Sequence, residues 1–153
     1  MSTEEPMPES VTALADRFRA AVDARDLAAL AELLTDDVRL YSPVKYRPFE
    51  GKESVTALFG VLVRLFEDIR YIGRYEGASE TGADGREAPS AVLPFRVTVG
   101  GKQVHGLDLL HFAEDGRIKE VTVMVRPQSA VQALGQAVLA GLVADGRVPA
   151  PQA

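Results

Sequence analysis

The chain has 153 residues, of which 46% are hydrophobic and 25% charged, a composition that suits one globular domain with a substantial core. It contains no cysteine, which excludes disulfides, thiolate metal sites and a cysteine nucleophile. The net charge of -5, from 17 Lys and Arg against 22 Asp and Glu, disfavours nucleic-acid binding through general phosphate attraction.

The N-terminal part predicts two helices and a short strand. Residues 1–9 hold two prolines and three glutamates and are expected to form a loose tail. A first helix starts at Ser10 as its N-cap, and its apolar stripe is Val11, Leu14, Ala15, Phe18, Ala21 and Val22. A second helix is expected to end at Thr35-Asp36-Asp37 and to bury Leu27, Leu30, Ala31 and Leu34. A strand over residues 38–42 follows, and Pro43 ends its pairing.

The rest of the chain predicts a third helix, a run of strands and a final helix. The third helix is expected over residues 53–66, after a loop at 44–51. Strands are expected over residues 69–75, 91–99, 103–112 and 118–126, with a glycine-rich polar loop at 78–90. Gly100-Gly101 and Glu114-Asp115-Gly116 predict tight hairpin turns. The predicted organisation is a tail at 1–9, a pocket domain at 10–127, a C-terminal helix at 128–145 and a tail at 146–153.

This order of elements predicts an α+β fold, with helices gathered on one face of a curved antiparallel sheet, because hairpin connections exclude a parallel doubly wound sheet. The sequence has no glycine-rich phosphate loop, zinc signature or local Ser-His-Asp motif. Residues 130–144 are apolar but fall short of the roughly 20 residues that cross a bilayer. The acidic N-terminus lacks the segments of a signal peptide, so we expect a cytoplasmic protein without a membrane span.

One carboxyl group lies inside an apolar strand, in Gly106-Leu107-Asp108-Leu109-Leu110-His111-Phe112. Because side chains alternate along a strand, Asp108 is predicted to share a face with Val104, Gly106, Leu110 and Phe112. Burial on that face is expected to raise the pKa of Asp108. A carboxylic acid that is neutral near pH 7 donates a hydrogen bond to a ligand oxygen or acts as a general acid. The alternative is a structural aspartate, bonded to a backbone amide or a nearby tyrosine.

Neighbouring elements supply the other residues of the predicted pocket. Val121, Val123 and Val125 share one face of the last strand, from which Glu120 points away. We expect these valines to line an apolar cavity around Asp108, together with Phe18, Tyr41, Ser42, Phe59 and Phe95. No metal site is predicted, since the chain has only two histidines and they show no ligand spacing.

The opposite face of the same strands is half apolar. It is predicted to carry His105, Leu107, Leu109 and His111, with Thr122 and Met124 across the hairpin. This placement excludes a His-Asp pair within the strand of Asp108. A half-apolar sheet face in a globular protein indicates a covered surface, and a homodimer is the simplest cover.

Three local sequences carry a family resemblance: Ala-Arg-Asp-Leu between the first two helices, a strand that ends in Ser-Pro-Val, and the run Gly-Leu-Asp-Leu-Leu-His-Phe-Ala-Glu-Asp-Gly-Arg-Ile-Lys-Glu-Val. Over roughly residues 10–127, the chain resembles the nuclear transport factor 2-like superfamily and, within it, the SnoaL-like proteins. The resemblance implies a cone-shaped α+β barrel with a pocket between sheet and helices, often in a homodimer formed through the outer sheet face. It marks the fold more than the activity, because this superfold hosts enzymes and binding proteins alike.

The resemblance also implies roles for single residues. Ketosteroid isomerases of this superfamily hold a neutral aspartic acid in an oxyanion hole, and the shared Asp-Gly-Arg-Ile turn aligns that acid with Asp108. Their aspartate base aligns with Ser42 and their oxyanion-hole tyrosine with Phe18, and neither residue can do the original chemistry. Limonene-epoxide hydrolases need an arginine where Gly106 stands. Neither reaction is therefore expected, whereas SnoaL-like polyketide cyclases are said to use one acid/base aspartate, which Asp108 matches.

We therefore predict a pocket for a small, largely apolar molecule that bears an oxygen, with Asp108 as hydrogen-bond donor or general acid/base. As an enzyme, the protein would be a cofactor-free isomerase, cyclase or hydrolase. The sequence leaves two alternatives open: a ligand-binding or sensing module without chemistry, and a dimeric protein-interaction module.

Overall fold

The computed structural model describes residues 9–149. The helices are α1 (Val11–Asp23), α2 (Leu27–Glu32), α3 (Lys52–Leu65) and α4 (Gln128–Ala144). The strands are β1 (Leu34–Tyr41), β2 (Phe49–Glu50), β3 (Glu67–Tyr71), β4 (Tyr75–Glu80), β5 (Glu87–Val99), β6 (Lys102–Phe112) and β7 (Ile118–Arg126). The predicted tail at 1–9 lies outside the described residues except for Glu9, as does the part of the predicted tail at 146–153 beyond residue 149.

The strands form one curved sheet in the order β2-β1-β7-β6-β5-β3, and β4 pairs with β5 beside that path. The α+β class and the curved sheet under helices are confirmed, but the sheet stays open instead of closing into a barrel. The expectation of antiparallel pairing fails at one place, since β1 runs parallel to β7, with Leu40 opposite Val121. A parallel pair needs a long connection, and α3 and the strands β2 to β6 provide it here.

Side-chain caps start the first two helices. The Ser10 hydroxyl accepts a hydrogen bond from the backbone N–H of Ala13 at 3.1 Å, as predicted for the N-cap of α1. The Asp26 carboxylate accepts one from the N–H of Ala29 at 3.0 Å and caps α2. α1 contacts β3 and β5, while α4 contacts β5, β6 and β7, so the core lies between these helices and the inner face of the sheet.

The second helix is shorter than its sequence pattern predicts. α2 ends at Glu32, and Thr35-Asp36-Asp37 belongs to β1 instead of ending the helix. Leu34 pairs with Ile118 of β7 and is fully buried there, as is Val38. The apolar Leu34 fits a helical period as well as a strand end, so the pairing with β7 decides its conformation.

The predicted loop at 78–90 is wrong, because most of it forms a hairpin of β4 and β5, with Ser79 opposite Ala88. The predicted strand at 69–75 is likewise two strands, β3 and β4. β4 is polar and mostly exposed, so it carries no hydrophobic alternation that could mark it as a strand. Its pairing with β5 is what holds it in an extended conformation.

A buried polar cluster holds the tip of this hairpin on the outer face of the sheet. The backbone N–H groups of Gly82 and Ala83 donate to the Glu120 carboxylate at 2.7 and 3.1 Å. His111 lies beside Glu120, with Nε2 2.9 Å from Oγ of Ser79, and burial lowers the pKa of His111. His111 is on the outer face as predicted, but the hairpin covers it, so His111 itself is not exposed on that face.

Candidate functional site

A cavity lies between the inner face of the sheet and helices α1, α3 and α4. Its volume is about 60 Å³, several times the space that one water needs. Its lining is apolar except at Ser42, Tyr71 and Asp108. A narrow apolar cavity with few polar groups is the usual form of a small-molecule site.

Asp108 and Tyr71 form the polar centre of the cavity. The Tyr71 hydroxyl donates a hydrogen bond to Oδ2 of Asp108 at 3.0 Å, and Oδ1 has no protein partner among residues 9–149. Burial raises the pKa of Asp108 from 3.8 to about 7, although the Tyr71 hydrogen bond acts in the lowering direction. Both protonation states of Asp108 are therefore accessible near neutral pH.

Two aromatic rings hold Tyr71 against Asp108. Phe18 of α1 and Phe95 of β5 both meet the Tyr71 ring edge-on, with centroids 6.4 and 6.0 Å away. Burial and the Asp108 carboxyl group raise the pKa of Tyr71 well above 10, so its hydroxyl stays protonated and remains a donor. The pair therefore has a fixed orientation, with one carboxyl oxygen bonded to Tyr71 and the other free for a ligand.

The structure brings together most of the residues predicted for the pocket. The lining includes Asp108 and, around it, Phe18, Ser42, Phe59, Phe95, Val123 and Val125. The Ser42 hydroxyl also accepts hydrogen bonds from the backbone N–H groups of Val44 and Lys45, which shapes the loop at 43–48.

Two predicted residues do not line this cavity. Tyr41 was predicted to face inward, but Leu40 takes that direction and is buried, so Tyr41 points to the outer face. Its ring lies there against Gly82 in the hairpin tip, where an added Cβ would stand 3.0 Å away. Val121 does face inward, but it packs in the core opposite Leu40 and Leu110, beyond the end of the cavity.

α4 and the loop at 43–48 meet along one side of the cavity. Leu134 and Val138 of α4 line it, as do Val44 and Phe49. Gly135 permits this close approach, since a Cβ at that position would lie only 2.7 Å from Cγ1 of Val44. α4 therefore forms part of the cavity wall.

Tyr71 is a residue of this site that the sequence analysis did not name. Its signal was weak, because Tyr71 was placed inside a predicted strand at 69–75 without a partner. The register now shows that Tyr71 lies opposite Phe95, and that Phe95 lies opposite Gly106 on the strand of Asp108. A structural Asp108 was expected to bond a nearby tyrosine, and Tyr71 is that tyrosine. Tyr71 bonds only Oδ2, however, so Oδ1 stays free for a ligand.

Within residues 9–149, no group of three or more His, Asp and Glu side chains is arranged to hold a metal ion. None of the helices in that range combines the length and apolar character of a membrane span.

The model of the SnoaL-like domain matches residues 15–121, which is most of the chain. The chain belongs to the SnoaL-like domain family. Comparison with the curated proteins gives no match.

Solved structures give the same fold for this SnoaL-like protein. A steroid delta-isomerase from Pseudomonas aeruginosa is 32% identical with a TM-score of 0.78, over 93% of this chain and 99% of that one. A protein with a cystatin-like fold from Silicibacter pomeroyi DSS-3 is 27% identical with a TM-score of 0.78, over 91% and 92%. An NTF2-like protein of unknown function from Cytophaga hutchinsonii ATCC 33406 shares the fold at 17% identity and a TM-score of 0.55, over 84% and 98%.

Proposed function

We propose that this SnoaL-like protein is a cofactor-independent isomerase that moves a proton within a small, largely apolar molecule bearing one carbonyl oxygen. The observation that carries the proposal is Asp108, a carboxyl group with a pKa raised to about 7 inside an apolar cavity. An isomerase must remove a proton and return it, and a group that populates both forms at neutral pH suits both steps.

The proposed reaction uses the two states of Asp108 in turn. The carboxylate takes a proton from a carbon next to the carbonyl group, and the electron pair of that C–H bond moves into an enolate. The neutral acid then returns the proton to another carbon of the conjugated system, so that no atom is gained or lost. Tyr71 keeps the carboxyl group in position through its hydrogen bond to Oδ2.

The reaction class is supported by one relative, since the 32% identical structure is that of a steroid delta-isomerase. The resemblance places the base of ketosteroid isomerases at position 42, where this chain has Ser42 and thus no carboxylate. The proton transfer is therefore assigned to Asp108. Hydrolase chemistry would need a further group that activates a water, and Tyr71 and Ser42 are the other polar side chains of the lining.

The test is isomerisation of a size series of unsaturated cyclic ketones, from a single ring to a steroid, followed by absorbance and by proton NMR. We expect Asp108→Asn to lower kcat/KM by about 10²–10⁴-fold, the usual contribution of a general acid/base. We expect kcat/KM of the unchanged protein to depend on one ionisation near pH 7.

Asp37→Asn is the matched control, because Asp37 is exposed on β1 and makes no contact with the cavity. It should keep full activity. Equal turnover by Asp108→Asn and the unchanged protein would overturn the catalytic role. Ketone binding that needs Asp108 but gives no turnover with any member of the series would instead support the non-catalytic binding module.

A further inference from the structure

Four basic side chains lie side by side across the outer face of the sheet. Arg70 of β3 is opposite Arg96 of β5, Arg96 is opposite His105 of β6, and His105 is opposite Arg126 of β7. Each has an inward-facing neighbour that is buried or lines the cavity, so all four point to the outer face. The three arginines are exposed, and together the four residues form what we call the basic row.

The basic row carries an electrostatic cost. Like charges directly opposite each other on neighbouring strands destabilise a sheet. Some other arginines within residues 9–149 are paired with carboxylates, as Arg64 is with Asp145 and Arg147 with Glu53. Within residues 9–149, no carboxylate lies in ion-pair distance of an arginine in the basic row. This concentration of positive charge stands out in a chain of net charge -5.

The basic row borders a cleft that also holds neutral hydrogen-bonding groups. Thr98 and Gln103 face each other in the next row of the same sheet face and line the cleft with it. Asp68 is the carboxylate of this cleft, and it lies at the β3 end beside Arg70. The most favourable position for an anion is therefore over Arg96, His105 and Arg126, away from Asp68.

We propose that the basic row binds a small anion with two or more oxyanion groups, either phosphates or carboxylates. Guanidinium groups bind both kinds of oxyanion through paired N–H donors, and exposed guanidinium groups without a carboxylate partner are free to do so. Neighbouring strands lie about 4.8 Å apart, so three adjacent positions span about 10 Å. That span matches an anion with two charged groups better than a single phosphate.

This site is separate from the cavity, although the two share strands. Phe95 lines the cavity, whereas the next residue, Arg96, lines the cleft on the outer side. Val125 and Arg126 divide in the same way on β7. Loss of anion binding would therefore leave the Asp108 site intact, and the two proposals can fail independently.

The test is an NMR titration of the full chain with pyrophosphate and, in a second arm, with citrate, both at low ionic strength. We expect saturable shifts centred on the backbone amides of Arg96, His105 and Arg126. Arg96→Gln should weaken pyrophosphate binding by about tenfold, as expected for the loss of a charge-assisted hydrogen-bond pair. Arg19→Gln, an equal charge change at an exposed position of α1, should bind pyrophosphate like the unchanged protein.

Thermal unfolding gives a second readout. Without a multivalent anion, Arg96→Gln should unfold at a higher temperature than the unchanged protein, because it relieves repulsion in the basic row. If Arg96→Gln does not fold, Arg126→Gln replaces it in both measurements. Tighter pyrophosphate binding would indicate a phosphate ligand, and citrate binding of equal or greater strength a polycarboxylate. Shifts that do not saturate, or that are equal in Arg96→Gln and the unchanged protein, would overturn the proposal.

Discussion

Replacing Asp108 by asparagine is expected to stabilise the protein above about pH 7 while removing its proposed activity. The pKa of Asp108 is 3.8 in an unfolded chain and about 7 in the fold, so folding disfavours the carboxylate. The free energy of unfolding therefore falls as the pH rises from about 4 to about 7. The decrease is about 4 kcal/mol at most for this pKa shift. Asparagine has no charge to bury, and its amide oxygen can accept the Tyr71 hydrogen bond.

Urea unfolding at about pH 4 and about pH 8.5 measures this difference. The free energy of unfolding of Asp108→Asn relative to the unchanged protein should rise between the two pH values by a few kcal/mol. Asp37→Asn should show no such rise, because Asp37 is exposed. A relative stability of Asp108→Asn that does not change with pH would mean that Asp108 titrates normally.

Replacing Gly106 by alanine should destabilise the fold more than most single-methyl additions. A Cβ at this position would lie 2.6 Å from Cζ of Phe95, 2.7 Å from the backbone oxygen of Met124 and 2.8 Å from Cγ1 of Val125. The backbone oxygen belongs to the neighbouring strand β7 and cannot move without breaking the pairing of β6 with β7. We expect a loss of about 1–3 kcal/mol in the free energy of unfolding, as for overpacked cores.

Gly77→Ala is the matched control for this change. Gly77 also lies in a strand, β4, and a Cβ there meets no atom within 4 Å. Its stability should stay the same or increase slightly, because alanine restricts the unfolded chain more than glycine does. Chemical denaturation of both variants at neutral pH compares them directly. Equal free energies of unfolding for Gly106→Ala and Gly77→Ala would show that a Cβ fits between β6 and β7 at position 106, and would contradict this prediction.

Local turn chemistry made one half of the sheet predictable. Gly100 and Gly101 adopt positive φ between β5 and β6, and Gly116 does so between β6 and β7, as tight turns require. The long β5–β6–β7 meander follows from these turns and from the apolar alternation of its strands. The β4–β5 hairpin was missed because β4 is polar and mostly exposed, and because its tip is bonded by Glu120, a residue distant in sequence.

The candidate site was predictable where it depends on alternation within one strand. Asp108 faces the core because its neighbours at two-residue spacing are buried, and the sequence shows that spacing directly. Tyr71 comes from β3, and its contact with Asp108 depends on a register across β5 that no local pattern encodes. Tyr41 was misassigned for a related reason, since the predicted strand did not fix which of Leu40 and Tyr41 faces inward.

The two ends of the outer sheet face differ in structure, which the sequence analysis did not predict. One end is closed by the hairpin tip over His111 and Glu120, and the other end carries the basic row. Between them lie exposed apolar groups, including Met124 and Ile72. The homodimer through this face stays a prediction, and the middle of the face is the part that remains open to it.

A carbon-13 NMR titration of the Asp108 carboxyl group in the full chain tests the acid in the cavity most directly. We expect its resonance to titrate with a pKa of about 7, and Tyr71→Phe to raise that pKa further because it removes a hydrogen bond that favours the carboxylate. A pKa close to 3.8 would instead place the carboxyl group in a water-like environment and contradict the proposed proton transfer.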